Sequence, residues 1–115
     1  MARRMGPAQL PFAISVEELA ERRGSSEEVV VVDVREPWER EICYLPESLP
    51  IPLASLPDRL EDLPRHGTLV VLCHHGTRSA HAVQWLRSKG VANAVNLEGG
   101  IAAWAQRIDP AMRTY

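Results

Sequence analysis

The sequence lacks long hydrophobic runs and a strong excess of charge of either sign. No apolar run approaches the roughly 18 residues that span a bilayer, and Met1-Ala2-Arg3-Arg4 is not followed by the unbroken apolar segment of a signal peptide. Lys and Arg number 13 and Asp and Glu number 15, which leaves a formal charge of −2. These absences predict a cytoplasmic protein that binds neither membranes nor nucleic acids.

Cysteine is also scarce, because Cys43 and Cys73 are the only two in 115 residues. Two cysteines are too few for a disulfide framework, and they lie in different sequence contexts, so a structural bridge between them is not expected. Cys43 has neither a glycine-rich loop nor a run of cations beside it. This setting favours a structural or incidental thiol at Cys43.

The apolar residues alternate between strand-like runs and helical patterns. Buried strands are predicted at 29–32, 69–72 and 91–97. Helices are predicted at 15–23, 79–89 and 101–108. Because parallel strands need crossover connections, this alternation predicts an α/β fold with a central, mostly parallel sheet and helices on both faces.

Length and local composition set the expected domain limits. A chain of this size forms one domain, which we place at 14–115. Residues 1–13 mix Arg, Gly and Pro without an apolar period and are expected to form an extended or poorly ordered arm. Prolines at 46, 50, 52 and 57 predict extended edge structure with one short strand near 49–51, and a brief helix is expected before Pro64.

The segment Cys73-His74-His75-Gly76-Thr77-Arg78 directly follows a predicted strand and precedes a predicted helix. Ligands of parallel sheets bind at the carboxyl ends of the strands, where Cys73 falls. Backbone amides from His74 through Ser79 can curl around its sulfur, and a helix N-terminus favours the reactive thiolate. Gly76 permits the turn and Arg78 adds a charge suited to anions. We therefore predict Cys73 as a nucleophile and His74, His75, Gly76, Thr77, Arg78 and Ser79 as substrate-binding residues.

Two reactions need a thiolate in an anion-binding loop: attack on a phosphate ester and attack on the outer sulfur of a sulfane donor. Four residues separate Cys73 from Arg78. In the pattern typical of cysteine phosphatases, five residues separate the cysteine from the arginine, which gives a wider loop for phosphate. The shorter loop favours transfer of a single sulfur atom.

Other residues with chemical potential receive structural interpretations. His74 and His75 form no four-ligand set with other residues, so neither a metal nor a cofactor is expected. The two imidazoles either tune the thiolate and meet the substrate or face solvent. Asp33 and Arg35 are expected to support a local turn. We expect Trp38, Trp85 and Trp104 to pack in the core or between helices.

Three segments together resemble the rhodanese family: the loop 73–79, Val32-Asp33-Val34-Arg35-Glu36, and Leu97-Glu98-Gly99-Gly100-Ile101-Ala102-Ala103-Trp104. The similarity spans about residues 14–108. It implies a single-domain sulfurtransferase in which Cys73 carries a persulfide. The implied partners are a sulfane donor, such as thiosulfate or a persulfide carried on a protein, and a thiol or cyanide acceptor.

The sequence departs from the family in one segment. Where the family has Gly-His-Ile-Pro-Gly-Ala, this chain has Cys43-Tyr44-Leu45-Pro46-Glu47-Ser48, so both glycines are missing. Two alternatives to sulfur transfer remain open. One is a catalytically silent binding or regulatory module of the same fold, and the other is a small cysteine phosphatase or arsenate reductase.

Overall fold

The computed structural model describes residues 10–115, so residues 1–9 of the predicted N-terminal arm lie outside the described part. The elements, in chain order, are β1 (Ala13–Ile14), α1 (Val16–Arg23), β2 (Val29–Asp33), α2 (Pro37–Ile42), β3 (Leu49–Pro50), a 3-10 helix (Leu53–Asp62), β4 (Thr68–Leu72), α3 (Thr77–Ser88), β5 (Ala94–Leu97) and α4 (Gly100–Arg107).

The five strands form one sheet in the order β1-β5-β4-β2-β3, and each neighbouring pair is parallel. The α/β fold predicted from the sequence is therefore confirmed. The strand predicted at 91–97 begins only at Ala94. Strand β1 was missed, because its two residues lack a recognisable strand pattern and are held by pairing with β5.

Two apolar clusters cover the two faces of the sheet, and successive residues of β4 contribute to opposite clusters. Leu69, Val71 and Cys73 pack with α3 and the 3-10 helix. Val70 and Leu72 pack with α1 and α4. Because β4 is buried along its whole length, the residue that follows it is held at a fixed position at the carboxyl edge of the sheet.

Helix ends follow local sequence signals at two places. Ser15 and Glu18 form a capping box at the start of α1, since each side chain accepts a hydrogen bond from the other residue's backbone amide. Pro37 opens α2 as its first residue, where its missing amide costs no helical hydrogen bond. Between Leu53 and Asp62 the chain forms a 3-10 helix that contains Pro57.

The segment that departs from the family pattern still makes a turn. Glu47 has φ +69°, the left-handed conformation that glycine favours. The Ser48 amide donates to the Leu45 carbonyl at 3.1 Å, and its hydroxyl donates to the same oxygen at 2.6 Å. The turn is thus retained with a side chain in a position suited to glycine.

The tryptophans differ in burial. Trp104 is buried and Trp85 packs against the core cluster, as expected. Trp38 is 59% exposed, so its expected burial is wrong. It lies on the first turn of the short helix α2, in which Glu39 is buried and Ile42 packs partly against the core. Within residues 10–115, no helix is both long and apolar enough to cross a membrane.

Candidate active site

The sulfur of Cys73 lies at the end of β4 and is almost completely buried, with the residue 1% exposed. Two backbone amides point at it: Gly76 N lies 3.1 Å and Ser79 N lies 3.3 Å from Sγ. The Ser79 hydroxyl oxygen lies 3.3 Å from the same sulfur. The loop therefore curls around the sulfur and presents donors to it, which is the geometry of a small anion-binding cup.

Gly76 makes this curl possible. Its φ is +105°, and it is the residue from which α3 begins. In this conformation its amide faces the sulfur while its carbonyl accepts from Ala80 N at 3.2 Å, which starts the helix. A residue with a Cβ is strained at this φ, so the glycine is required by the backbone.

The N-terminus of α4 holds the loop from the other side. Ile101 N donates to the Cys73 carbonyl at 2.9 Å, and Ala102 N donates to the His74 carbonyl at 3.0 Å. Gly100, at φ +62°, lies so close that a Cβ there would be 2.5 Å from both of these carbonyl oxygens. The Gly99-Gly100 pair therefore lets α4 approach the loop closely enough to turn the Cys73 and His74 carbonyls away from the sulfur.

Asn96 ties the middle and the end of the loop to β5. Its side-chain amide nitrogen donates to the Gly76 carbonyl at 3.1 Å, and its oxygen accepts from the Ser79 hydroxyl. Asn96 is 6% exposed and lies opposite Val71 in the register of β4 with β5. It is a polar residue in an otherwise apolar buried strand, which is a signal that sequence reasoning could have used and did not.

Arg78 does not point its charge freely into the loop. Its Nη1 and Nη2 donate to the two carboxylate oxygens of Glu39, each at 2.8 Å. This hydrogen-bonded pairing outweighs the opposing effect of burial and lowers the pKa of Glu39 from 4.5 to about 2, while it raises the pKa of Arg78. Glu39 therefore stays ionised, and Arg78 acts on the site as one half of an ion pair.

Asp33 and Arg35 form the support that the sequence analysis expected. The Arg35 guanidinium donates to both Asp33 carboxylate oxygens, at 2.9 and 2.8 Å, and both side chains are fully buried. Arg35 also donates to the Cys43 carbonyl at 2.8 Å, and Arg40 donates to Asp33 at 2.9 Å. This network fixes α2, and with it Glu39, against the ends of β2 and β3.

Tyr115 closes the network from the far end of the described chain. Its hydroxyl accepts from Arg35 at 2.9 Å and donates to Glu39 at 2.8 Å. Burial is the largest effect on this phenol and raises its pKa to about 12. The Tyr115 ring stacks on His74, with ring centroids 3.8 Å apart and an interplanar angle of 9°.

His74 and His75 differ in their environments, although both follow Cys73. The His74 ring lies between Tyr115 and His75, and burial together with the neighbouring His75 lowers its pKa below the usual 6.5. His74 is therefore neutral at pH 7. His75 is exposed and, with His74 and Tyr115, lines a pocket of about 310 Å³.

Among the described residues, neither the remaining predicted site residue, Thr77, nor the second cysteine, Cys43, hydrogen-bonds to the Cys73 sulfur. Thr77 is the first residue of α3 and is exposed. Cys43 is a free thiol, like Cys73, and lines the pocket beside His74. Among residues 10–115, no three His, Cys, Asp or Glu side chains come together in a way that could hold a metal ion.

Glu39, Asn96 and Tyr115 are site residues that sequence reasoning missed. Glu39 is a charged residue on a short helix, and nothing local marks it as buried. Tyr115 meets Glu39 across 76 positions of sequence, so no spacing rule connects them. Only Asn96 carried a local signal.

Comparison with known proteins agrees with the geometry. The sequence profile of the Rhodanese-like domain family matches residues 15–107. A sulfurtransferase of Allochromatium vinosum is 36% identical over 93 residues, which cover 81% of this chain and 87% of that protein.

Two solved structures are similar over most of their length. The human single-domain sulfurtransferase TSTD1 matches with a TM-score of 0.78 at 25% identity and covers 84% of this chain and 97% of its own. A rhodanese-like domain protein of Staphylococcus aureus matches with a TM-score of 0.76 at 36% identity, over 80% of this chain and 89% of its own. The resemblance seen in the sequence is thus confirmed, and the chain belongs to the rhodanese-like domain family.

Proposed function

We propose that this protein is a sulfurtransferase in which Cys73 accepts the outer sulfur of a sulfane donor and carries it as a persulfide. The observation that carries the proposal is the convergence of Gly76 N and Ser79 N on the Cys73 sulfur, at 3.1 and 3.3 Å. Amide donors of this kind favour an anionic sulfur, both as the attacking thiolate and as the persulfide formed from it.

The first half of the reaction loads Cys73. Its proton passes to solvent, and the thiolate attacks the outer sulfur of thiosulfate. A sulfur–sulfur bond forms to Cys73, the sulfur–sulfur bond of thiosulfate breaks, and sulfite leaves with the electron pair. The product is a Cys73 persulfide anion, whose charge the loop amides can hold as they held the thiolate.

The second half returns the enzyme to its starting state. A thiolate or cyanide acceptor attacks the outer sulfur, and the bond to Cys73 breaks so that the Cys73 thiolate is released. The products are a persulfide of the acceptor or thiocyanate. The His74, His75 and Tyr115 side chains line the adjacent pocket, and we place the approach of donor and acceptor there. The substrate-binding residues of this proposal are those of the loop that follows Cys73, namely His74, His75, Gly76, Thr77, Arg78 and Ser79.

The ion pair between Arg78 and Glu39 refines the role of Arg78. Since both terminal nitrogens bind Glu39, Arg78 contributes a fixed positive end beside the loop and a rigid link to α2. Its cationic charge still favours an anionic sulfur at Cys73. A cytoplasmic location is part of the proposal, since a reducing compartment keeps Cys73 and Cys43 as thiols.

The test is sulfur loading followed by transfer. The purified protein is incubated with thiosulfate or with a low-molecular-weight persulfide, and the Cys73 peptide is examined by mass spectrometry for the gain of one sulfur atom. Cyanide is then added and thiocyanate is measured. We expect loading and turnover in the wild type and in Cys43→Ser, and neither in Cys73→Ser.

Failure has a defined form. If neither donor adds sulfur to Cys73 and no thiocyanate forms, the protein is not a sulfurtransferase. Hydrolysis of p-nitrophenyl phosphate by the same preparation would instead favour the phosphatase alternative. A folded protein whose Cys73 reacts with none of these substrates would favour the catalytically silent binding module.

A further inference from the structure

Asn96 links the Cys73 loop to the neighbouring strand through two hydrogen bonds of opposite direction. It lies on β5, on the face of the sheet that α3 covers, and its side chain is buried. Its amide nitrogen faces the Gly76 carbonyl at 3.1 Å, and its amide oxygen faces the Ser79 hydroxyl. The Ser79 hydroxyl oxygen in turn lies 3.3 Å from the Cys73 sulfur.

The directions of these hydrogen bonds follow from the Gly76 carbonyl. A carbonyl oxygen can only accept, so the Asn96 group that faces it must be the NH₂ group. The Asn96 oxygen must then face Ser79, and since this oxygen also can only accept, the Ser79 hydroxyl must donate to it. A hydroxyl has one proton. Ser79 therefore offers a lone pair, and not a proton, to the sulfur.

The directions of these hydrogen bonds determine which protonation state of Cys73 they favour. A lone pair on Ser79 Oγ accepts the proton of a Cys73 thiol and repels a thiolate. We propose that Asn96 is a positioning residue that, by orienting the Ser79 hydroxyl, stabilises Cys73 as a protonated thiol when no substrate is bound. The inference concerns the nucleophile of the proposed function and rests on that function for its significance.

Ionisation of Cys73 then requires a change at Ser79. When the sulfur loses its proton to solvent, the Ser79 hydroxyl rotates to donate to the thiolate, and the buried Asn96 oxygen is left without that donor. An unsatisfied buried acceptor is unfavourable. Asn96 thus opposes the two loop amides, which favour the thiolate, and the balance between them sets how much of Cys73 is ionised.

Other charged groups around the loop also act on this balance, and the test must leave them unchanged. They are Asp33 at the end of β2, Arg35 between β2 and α2, Glu39 on α2, His74 and His75 in the loop, Arg78 on α3, Glu98 after β5, and Tyr115. The first turn of α4, which packs against the loop, carries no acidic residue. Substitutions at position 96 alter none of these side chains.

The experiment compares Asn96→Leu with Asn96→Asp in the full-length chain. The fraction of Cys73 present as thiolate is followed against pH by ultraviolet absorbance in a Cys43→Ser background, with the matching Cys73→Ser protein subtracted. In Asn96→Leu the Ser79 hydroxyl loses its acceptor and can donate to the sulfur, so we expect the midpoint to fall by about 1 pH unit.

Asn96→Asp should have the opposite effect. Its carboxylate retains the Ser79 proton more strongly, and two successive contacts place it within about 6 Å of the sulfur. We expect the midpoint to rise by about 1 pH unit or more. Opposite shifts from two substitutions at one position distinguish a proton-directing role from simple loss of packing, which would move both midpoints the same way.

Two controls complete the design. Ser79→Ala removes the group through which Asn96 acts, so adding Asn96→Leu to it should not shift the midpoint further. Asn93→Leu replaces a buried asparagine just before β5, whose amide binds the Pro64 carbonyl, and should leave the midpoint unchanged. Asn96→Ala takes the place of Asn96→Leu if thermal unfolding shows that the latter does not fold.

The proposal is overturned if the Leu and Asp variants shift the midpoint in the same direction, if neither shifts it, or if the Leu shift persists in Ser79→Ala. The readout needs no sulfur donor. If the protein does not transfer sulfur but the Leu and Asp variants shift the midpoint in opposite directions, the proposed function is refuted and the role of Asn96 is supported. If it transfers sulfur but the midpoints do not shift in this way, the proposed function stands and the role of Asn96 is refuted.

Discussion

Glu39 and Arg78 form a two-point ion pair that joins α2 to the first turn of the helix behind Cys73, with both N···O distances at 2.8 Å. All the acceptor sites of Glu39 are used, since its oxygens also accept from the Glu36 amide at 2.9 Å and the Tyr115 hydroxyl at 2.8 Å. The carboxylate is therefore the point at which α2, α3 and the C-terminal segment meet.

Removing the charge of Glu39 should destabilise the fold in a pH-dependent way. Its pKa is lowered to about 2 in the folded chain from 4.5, so its contribution is complete above pH 4.5 and is lost as the pH falls towards 2. We expect Glu39→Gln to lower the free energy of unfolding by about 2 to 3 kcal/mol at pH 7, allowing for the partial exposure of Arg78. Urea denaturation at a series of pH values measures this.

The control for Glu39 lies on the same helix. Glu41 is exposed, and Glu41→Gln should change the free energy of unfolding by less than about 0.5 kcal/mol. The difference between wild type and Glu39→Gln should shrink between pH 4.5 and 2. A difference that stays constant over this range would mean that the ion pair is not what stabilises the fold.

Gly100 is expected to be indispensable for the loop. In Gly100→Ala the new Cβ would lie 2.5 Å from the Cys73 and His74 carbonyl oxygens at a φ of +62°, so α4 must move away and release both carbonyls. We expect a loss of more than about 2 kcal/mol in the free energy of unfolding and loss of sulfur loading on Cys73.

Gly90 provides the matched comparison for Gly100. It also has a positive φ, +93°, but a Cβ there would meet nothing within 4 Å. Gly90→Ala should therefore cost only the backbone strain, about 1 kcal/mol, and leave sulfur loading intact. Equal effects of the two substitutions on loading would show that the close approach of α4 does not shape the loop.

The strands and the position of the nucleophile were predictable because they depend on local pattern. The run 69–72 is apolar without interruption, and Cys73 follows it directly, so the sulfur had to lie at the carboxyl edge of a buried strand. Gly76 and Arg78 then indicated an anion-binding turn. These features depend only on residues that are close together in the sequence.

What could not be predicted depends on contacts between distant segments. The sequence indicated a charge suited to anions at Arg78, yet the fold brings the Glu39 carboxylate of α2 onto it. Strand β1 exists because β5 offers it a partner, and Ala13–Ile14 alone has no strand signal. The prediction for Trp38 followed the general rule that aromatic residues are buried, but on α2 the charged Glu39 is buried and Trp38 is exposed.

Glu47 is a place where the chain can be stabilised. Its φ of +69° is unfavourable for a residue with a Cβ by about 1 to 2 kcal/mol. Glycine removes this strain, but its greater conformational freedom in the unfolded chain offsets part of the gain. We expect Glu47→Gly to raise the free energy of unfolding by about 0.5 to 1 kcal/mol. Thermal or urea denaturation measures the change.

The comparison for this substitution is Glu47→Ala, which removes the same side chain but keeps the Cβ. The contact of Glu47 with Arg23, at 3.7 Å, involves a carboxylate side chain that is 90% exposed, so its loss should be nearly neutral. Glu47→Ala should therefore show no gain. A gain of the same size in both variants would mean that the side chain, and not the backbone, is unfavourable in the native turn.

Tyr115 should stabilise the site most clearly in alkaline solution. Burial raises its pKa to about 12 from 10, so its contribution is complete below pH 10 and is lost as the pH rises towards 12. Tyr115→Phe keeps the stacked ring on His74 but removes the hydroxyl shared by Arg35 and Glu39. We expect it to cost about 1 kcal/mol at pH 7, and to lose less stability than the wild type between pH 10 and 12.

Tyr115→Leu also removes the stack, so it should lower stability further and weaken the binding of sulfur donors through a looser His74. Tyr44→Phe, at an exposed ring over Arg40, serves as the control and should match the wild type in urea denaturation at pH 7. If Tyr115→Phe instead unfolds in alkali with the same pH dependence as the wild type, ionisation of the Tyr115 hydroxyl is not what lowers the stability of the wild type above pH 10.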